Sequence, residues 1–145
     1  MKKRRRKIYL PKELEARMKK VAKQVKALRD VQCNESYAIK KIAKVLGYKY
    51  IGKGAGDGAY AKDGIVIKKM YRSGTCPLFC RVPTIVVKRG LGDCDFCVQP
   101  LCDLTGRETA FNMLQSVFHR GGWYIDDFRL PNVGWFNGQP VMFDW

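Results

Sequence analysis

YKYIGKGAGDGAYAKDGIVIKKMY, residues 48–71, contains two apolar stretches separated by a glycine-rich segment. The apolar stretches, 48–52 and 64–71, have the residue types of strands, and the segment 52–63 between them has the composition of a turn region. Two later segments, RVPTIVVKRG (81–90) and DCDFCVQPL (93–101), are also typical of strands. The sequence therefore predicts a small, mainly antiparallel sheet.

Helices are predicted on both sides of this region. Residues 12–32 repeat apolar positions at spacings of three and four, which indicates an amphipathic helix. A second helix follows a cap at Asn34 or Ser36 and ends at Gly47. The apolar seams of the two helices are Leu14, Met18, Val21, Val25 and Leu28 in the first, and Ile39, Ile42, Val45 and Leu46 in the second.

The C-terminal third combines a third helix with a hairpin. Thr105 and Glu108 have the spacing of a capping box, and the helix that they begin is expected to end at Gly121-Gly122. NVGWFNGQPVMF (132–143) is predicted to form two short strands around an Asn-Gly turn. The fold class expected from all these elements is α+β.

The charge is concentrated at the N-terminus. Of the net +15, residues 1–49 carry +13 and the remaining residues only +2. Such a basic region suits an acidic protein, a nucleic acid or anionic lipid, although a solvated helix face has the same composition. The start MKKRRRK is followed by charged residues, and no apolar run has the length of a membrane span, so we expect an intracellular chain without a signal peptide.

Six cysteines without an export signal favour thiols over disulfides. The pairs Cys76/Cys80 and Cys94/Cys97 have spacings that a four-thiolate zinc site can use. The same cysteines also suit the apolar positions of a strand and a small core. We therefore keep zinc only as the alternative to buried thiols.

Two groups of residues have the chemistry of nucleotide and metal binding. Glycines in IGKGAGDGAY let a backbone approach phosphates closely, and Lys68 on the next strand supplies a point charge within reach of the same phosphates. The glycines are Gly52, Gly54, Gly56 and Gly58. Asn132 and Asp144 lie at the open ends of the hairpin, where an amide and a carboxylate oxygen suit Mg²⁺, and Asp127 can accept a proton from a hydroxyl.

In this order the motifs resemble those of the protein kinase superfamily, and most closely those of the early-gene serine/threonine protein kinases of podovirus bacteriophages. The resemblance covers about residues 36–144. It rests on IKKIAKVLGYKYIGKG, GIVIKKMY, FCVQPLCDL and IDDFRLPNVGWFNGQPVMFD. The residues that usually precede the catalytic aspartate are replaced by Ile125 and Asp126, and no carboxylate-bearing helix follows Met70.

The resemblance implies ATP and Mg²⁺ as cofactors and assigns a role to each candidate residue. Lys68 would pair with the α- and β-phosphates, Asp127 would be the catalytic base, and Asn132 and Asp144 would hold Mg²⁺. A hinge around Gln99, Leu101 and Cys102, with the glycines, would hold the nucleotide. The expected location is the cytoplasm, that of the host cell if the chain is viral.

The resulting expectation is a kinase-like domain at 36–145, with an N-lobe sheet and the helix and catalytic-loop hairpin of a truncated C-lobe, preceded by a basic helical extension at 1–35. Its function would be phosphorylation of Ser/Thr in a protein. The alternative is an inactive kinase remnant that binds a host protein or nucleic acid. We also expect the N-terminal helices to pack on the sheet, with Glu35 as candidate partner of Lys68; in the other interpretation, Glu35 only stabilises its helix start.

Overall fold

A computed structural model describes residues 8–31, 38–52, 58–71, 76–88, 94–125 and 128–143. It has the α+β composition that the sequence predicts. The helices are α1 (Lys12–Val31), α2 (Ala38–Leu46) and α3 (Arg107–Gly121), with a short 3-10 helix at Leu130–Asn132. The strands are β1 (Lys49–Gly52), β2 (Ala59–Lys62), β3 (Ile65–Tyr71), β4 (Ile85–Val87), β5 (Cys94–Pro100), β6 (Val133–Phe136) and β7 (Gln139–Met142).

Five strands form one antiparallel sheet in the order β1-β2-β3-β5-β4. This confirms the small antiparallel sheet. The prediction of one long turn over 52–63 was wrong, because β2 lies inside that range. Asp63 and Gly64, both at positive φ, form the two-residue turn into β3. Strand β2 was not predicted because its alanines give the sequence little hydrophobic alternation.

One face of this sheet is apolar and covered by helices. Paired residues on neighbouring strands point to the same face, so Tyr60, Ile67 and Val98 lie in one row with Ile85. These four side chains belong to a single hydrophobic cluster with residues of α1 and α2. Helix α1 packs on β4 and β5, and α2 packs on β3.

The predicted seam of α1 is confirmed by its burial. Met18 and Val25 are fully buried, and Leu14 and Leu28 are partly buried against the same cluster. Full burial of such a side chain contributes about 1.5–3 kcal/mol. The seam therefore holds the basic helix on the sheet, and its lysines take the outer faces.

The C-terminal hairpin forms as predicted. Strands β6 and β7 pair from Val133–Met142 to Phe136–Gln139, around Asn137 and Gly138 at φ 51° and 71°. These values are those of a type I′ turn. A second hydrophobic cluster contains residues of α3, β6 and β7 together with Cys76 and Cys80.

The capping box predicted for α3 was wrong. The N-cap residue is Gly106, in the left-handed conformation, and it makes no side-chain cap hydrogen bond. The Thr105 amide instead donates to Asp103 Oδ1 at 2.9 Å. This bond holds the pKa of the Asp103 carboxyl below its usual range. The predicted end of the helix at Gly121-Gly122 is confirmed.

The chain divides into two compact units. The sheet unit comprises Leu10–Arg72 and Thr84–Leu101, and the hairpin unit comprises Met1–Tyr9, Ser73–Pro83 and Cys102–Trp145. The chain thus passes from one unit to the other inside the predicted hinge. The boundary predicted between residues 35 and 36 lies outside the described residues, and that division stays a prediction.

Gly58 gives a test of how β1 and β2 are held together. It adopts φ +106°, and a Cβ atom there would lie 2.7 Å from Cε2 of Tyr50. Gly64 also has a positive φ, +77°, but a Cβ atom there would meet nothing within 4 Å. We expect Gly64→Ala to cost only the roughly 1–2 kcal/mol of a left-handed alanine, and Gly58→Ala to cost more, because its conformation is less accessible and the Tyr50 ring must move.

Urea denaturation of both variants measures the difference. Moving the Tyr50 ring also disturbs its edge-to-face contact with Tyr60, whose ring centroid is 5.7 Å away. A loss of unfolding free energy for Gly58→Ala no larger than that for Gly64→Ala would contradict this packing.

Candidate functional site

The second face of the five-stranded sheet, which we call the polar face, contains three buried polar side chains beside Val66 and Cys97. Lys68 pairs with Cys97, so both point away from the row that contains Ile67 and Val98. Lys68, Asp95 and Gln99 are 5%, 4% and 3% exposed, respectively. Burying charged and amide groups is costly unless partners satisfy them. The charged and amide groups on this face are therefore the candidate ligand-binding groups of the sheet.

The glycine segment begins two strands away from Lys68 and ends on the strand next to it. Gly52 pairs with Ala59, and Ala59 pairs with Lys68, so the three residues form one row across β1, β2 and β3. Neighbouring strands lie about 4.8 Å apart, a distance that a lysine side chain spans. Gly58 adjoins this row, whereas Gly54 and Gly56 lie outside the described residues.

The predicted hinge follows β5 directly. The Gln99 side-chain amide donates to Thr84 Oγ1 at 3.1 Å, which fixes its orientation on the polar face. The Leu101 amide donates to the carbonyl of Gly64 at 2.9 Å, and the Leu101 side chain is 48% exposed. Cys102 is half-buried and begins the hairpin unit. The contact of these residues with a nucleotide base stays a prediction.

A carboxylate lies on the same sheet face as Lys68. Asp95 is two residues before Cys97, which is directly opposite Lys68, so the two charged residues are diagonal neighbours. Diagonal neighbours are about 7–8 Å apart, within reach of long side chains. The helices do pack on the sheet as expected, but on the opposite, apolar face, and Glu35 lies outside the described residues.

The open end of the hairpin closes next to Asn132. The Phe143 amide donates to the carbonyl of Asn132 at 3.1 Å, and the Asn132 amide donates to the carbonyl of Arg129 at 2.9 Å. Asn132 is 9% exposed and belongs to the hairpin unit. Asp127 and Asp144 lie outside the described residues, so the expected approach of Asn132 to Asp144 stays a prediction.

The residues that sequence reasoning missed are Asp95 and Thr84. Asp95 lies in DCDFCVQPL, where strand alternation gave no reason to separate a buried carboxylate from an exposed one. Only the register of β3 against β5 places Asp95 on the face of Lys68. Thr84 precedes β4, and its bond to Gln99 depends on pairing across the sheet.

Two cysteines of the hairpin unit form a close, buried pair. Cys76 Sγ and Cys80 Sγ are 3.7 Å apart, and both side chains are at most 1% exposed. The Cys80 thiol, as hydrogen-bond donor, together with the Arg81 guanidinium, lowers the pKa of Cys76. The bond to Cys76, together with burial, raises the pKa of Cys80.

The separation of this pair equals that of two thiolates on one tetrahedral zinc ion, because Zn–S bonds are about 2.3 Å long. A structural zinc site needs two further ligands. Within the described residues, no group of three His, Cys, Asp or Glu side chains is arranged to hold a metal ion. Cys97 lies in the sheet unit and the Cys94 side chain is outside the description, so zinc binding by the four cysteines stays an untested alternative.

Comparisons with protein-family models, with curated proteins and with solved structures give no match to this chain. In the part of the chain that the structure describes, no helix combines the length and apolar character needed to cross a membrane.

The Cys76/Cys80 pair has a titration that can be measured. Cys80→Ala removes the thiol that donates to Cys76, so the pKa of Cys76 should rise toward that of an ordinary cysteine. Ultraviolet absorbance of the thiolate, measured as a function of pH, should therefore lack in this variant the titration step that occurs at the lowest pH in the wild type. Cys102→Ala serves as the control and should retain that step. Wild-type protein without any thiolate at a pH below the ordinary cysteine range would contradict the geometry of the pair.

Proposed function

We propose that this chain binds ATP with Mg²⁺ on the polar face of its five-stranded sheet and transfers the γ-phosphoryl group to Ser or Thr of a protein. The observation that supports the proposal is the row of Gly52, Ala59 and Lys68, which aligns both ends of the glycine segment with a buried lysine on the third strand. A lysine on this strand, next to a glycine-rich turn, is the context in which protein kinases hold phosphates.

The residues of the sheet unit have binding roles in this proposal. The backbone of the glycine segment approaches the phosphates, and Lys68 neutralises part of their charge. Asp95, on the same face, orients Lys68 in place of the helix glutamate that the sequence lacks. Gln99 is oriented by Thr84, and the segment from Gln99 to Cys102 lies where the base would be held.

Transfer requires a base and a metal. Asn132 offers an amide oxygen and Asp144 a carboxylate, which are hard donors that suit Mg²⁺. Bound Mg²⁺ would neutralise negative charge on the phosphate oxygens. Asp127 accepts the proton of the substrate hydroxyl. The hydroxyl oxygen forms the new bond to the γ-phosphorus while the bond from the γ-phosphorus to the leaving ADP oxygen breaks.

The second candidate function is binding without catalysis. It is favoured by the outer surface of α1, on which exposed lysines accumulate while the seam of the helix is buried. In that case the basic surface would bind its partner whether or not ATP binds. The two functions differ in their response to ATP and to substitution of Lys68.

Thermal unfolding with and without ATP and Mg²⁺ tests the nucleotide site. ATP at ten times its Kd should stabilise the wild type by about 1.4 kcal/mol, which corresponds to a rise in Tm of roughly 3–8 °C for a domain of this size. Lys68→Ala should abolish most of this rise. Lys69→Ala is a matched control, because Lys69 is also buried, at 7% exposed, but occupies the opposite face.

Each rise is measured against the same variant without nucleotide, so a change in basal stability does not affect the comparison. No rise in the wild type at millimolar ATP would contradict nucleotide binding. Equal losses in Lys68→Ala and Lys69→Ala would contradict the assignment to the polar face.

Phosphoryl transfer is tested with labelled ATP, Mg²⁺, purified protein and a cell lysate. Asp127→Ala should abolish incorporation of label into protein, since no other group is assigned to accept the hydroxyl proton. Asp126→Ala removes a carboxylate at the adjacent position and should retain labelling. If ATP raises Tm but the wild type transfers no label, the chain is a nucleotide-binding protein rather than a kinase.

A further inference from the structure

A basic groove lies within the sheet unit, between helix α1 and the edge strand β4. Its volume is about 370 Å³. Strand β4 is the last strand of the sheet and pairs with β5 on one side. The groove is lined by Ala22, Lys23, Lys26, Arg29, Val86, Val87 and Lys88.

The lining combines cations with an apolar floor. Lys23, Lys26 and Lys88 are exposed, and Arg29 adds a fourth cation on the same side of the helix. None of the described residues that line the groove is acidic. Val86, at 43% exposed, supplies apolar surface on β4, and its pairing with Cys97 places its side chain on the sheet face opposite α1. An occupant with both carboxylates and apolar side chains matches this surface.

The strand edge adds directional binding. An edge strand presents peptide groups that can pair with another chain, and proteins often place lysines there to prevent such pairing. Here the cations surround a concave surface with an apolar floor, rather than projecting from a flat edge. The same lysines that discourage neutral strands would attract an acidic one.

We propose that this groove binds an acidic, extended peptide segment of another protein as an added strand on β4. The peptide would exchange main-chain hydrogen bonds with β4. Its alternating side chains would place apolar groups on the face of Val86 and carboxylates on the opposite face, toward Lys23 and Lys26 of α1. The rise from Lys23 to Arg29 is about 9 Å, and three extended residues span about 10 Å. The groove thus matches about three residues of peptide, the length of β4.

Other occupants fit less well. A second copy of the chain carries +15 and would be repelled. Its acidic residues at alternate positions, Glu13/Glu15 and Asp93/Asp95, include residues already used in α1 and β5. Single-stranded nucleic acid is usually held by aromatic side chains that stack on bases, and no aromatic residue lines the groove. The proposal does not depend on nucleotide binding. Val86 lies on the sheet face of Cys97 and Lys68, but the cations that α1 contributes to the groove are separate from Lys68, Asp95 and Gln99.

Fluorescence anisotropy of the full chain with labelled ligands tests the groove. The probe is a short peptide of alternating glutamate and valine. A peptide of equal charge in which proline replaces valine is the control for strand formation, because proline lacks the amide donor. Duplex DNA of similar charge is the third ligand.

We expect the glutamate-valine peptide to bind more tightly than the other two ligands. The double substitution Lys23→Gln/Lys26→Gln should weaken its binding about tenfold, as the loss of two charge pairs predicts. Lys20→Gln/Lys40→Gln removes the same charge from exposed lysines that do not line the groove, and should change binding by less than about twofold. Val86→Glu should also weaken binding, because it replaces the apolar contact on that face with a negative charge that repels an acidic peptide.

Three results would overturn the proposal. Equal binding of the proline peptide would show attraction by charge without strand addition. Equal losses from the two double substitutions would place binding elsewhere on the basic surface. Tighter binding of duplex DNA that depends on Lys23 and Lys26 would assign the groove to nucleic acid. Circular dichroism of each variant confirms that the fold is intact.

Discussion

The pairing of β3 with β5 determines the chemistry of the sheet. The two strands are in register over seven residues, from Ile65–Pro100 to Tyr71–Cys94. Because side chains alternate between faces, this register places Ile67 and Phe96 toward the helices and Lys68 and Gln99 on the other side. A slip of one residue would bury Lys68 against α1 and α2 and expose their apolar cluster. The strong preference for burying Ile67, Phe96 and Val98 therefore also orients Lys68.

The two faces of this sheet have different roles, since one forms the hydrophobic core and the other contains the candidate binding groups. The apolar face is closed by the seam of α1, whose buried residues leave its lysines on the outer surface. The excess charge of the N-terminal third is thus carried partly by a helix that the hydrophobic core requires. The polar face contains the groups proposed for ATP. The lysines that α1 contributes to the basic groove therefore lie on the other side of the sheet from Lys68.

The sequence predicted those elements that have a local signal. The seam of α1 follows from helical spacing, and the hairpin at Asn137-Gly138 follows from turn chemistry, so both could be predicted without tertiary information. Asp63-Gly64 is an equally good turn signal, and it marks the end of β2. The glycine-rich composition just before β2 made the whole segment resemble one long turn. The capping box at Thr105 failed because the helix begins after Gly106. Asp95 and Thr84 needed the sheet register, which no local pattern contains.

The most direct test of the central claim is chemical labelling of the lysine that contacts ATP phosphates. An acyl-phosphate derivative of ATP transfers its acyl group to an amine held beside the phosphates, and mass spectrometry of the digested protein identifies that amine. The account predicts acylation of Lys68, suppressed by excess ATP and Mg²⁺, with the adjacent Lys69 unlabelled. Labelling spread over the exposed lysines of α1, without ATP-suppressible acylation of Lys68, would contradict it.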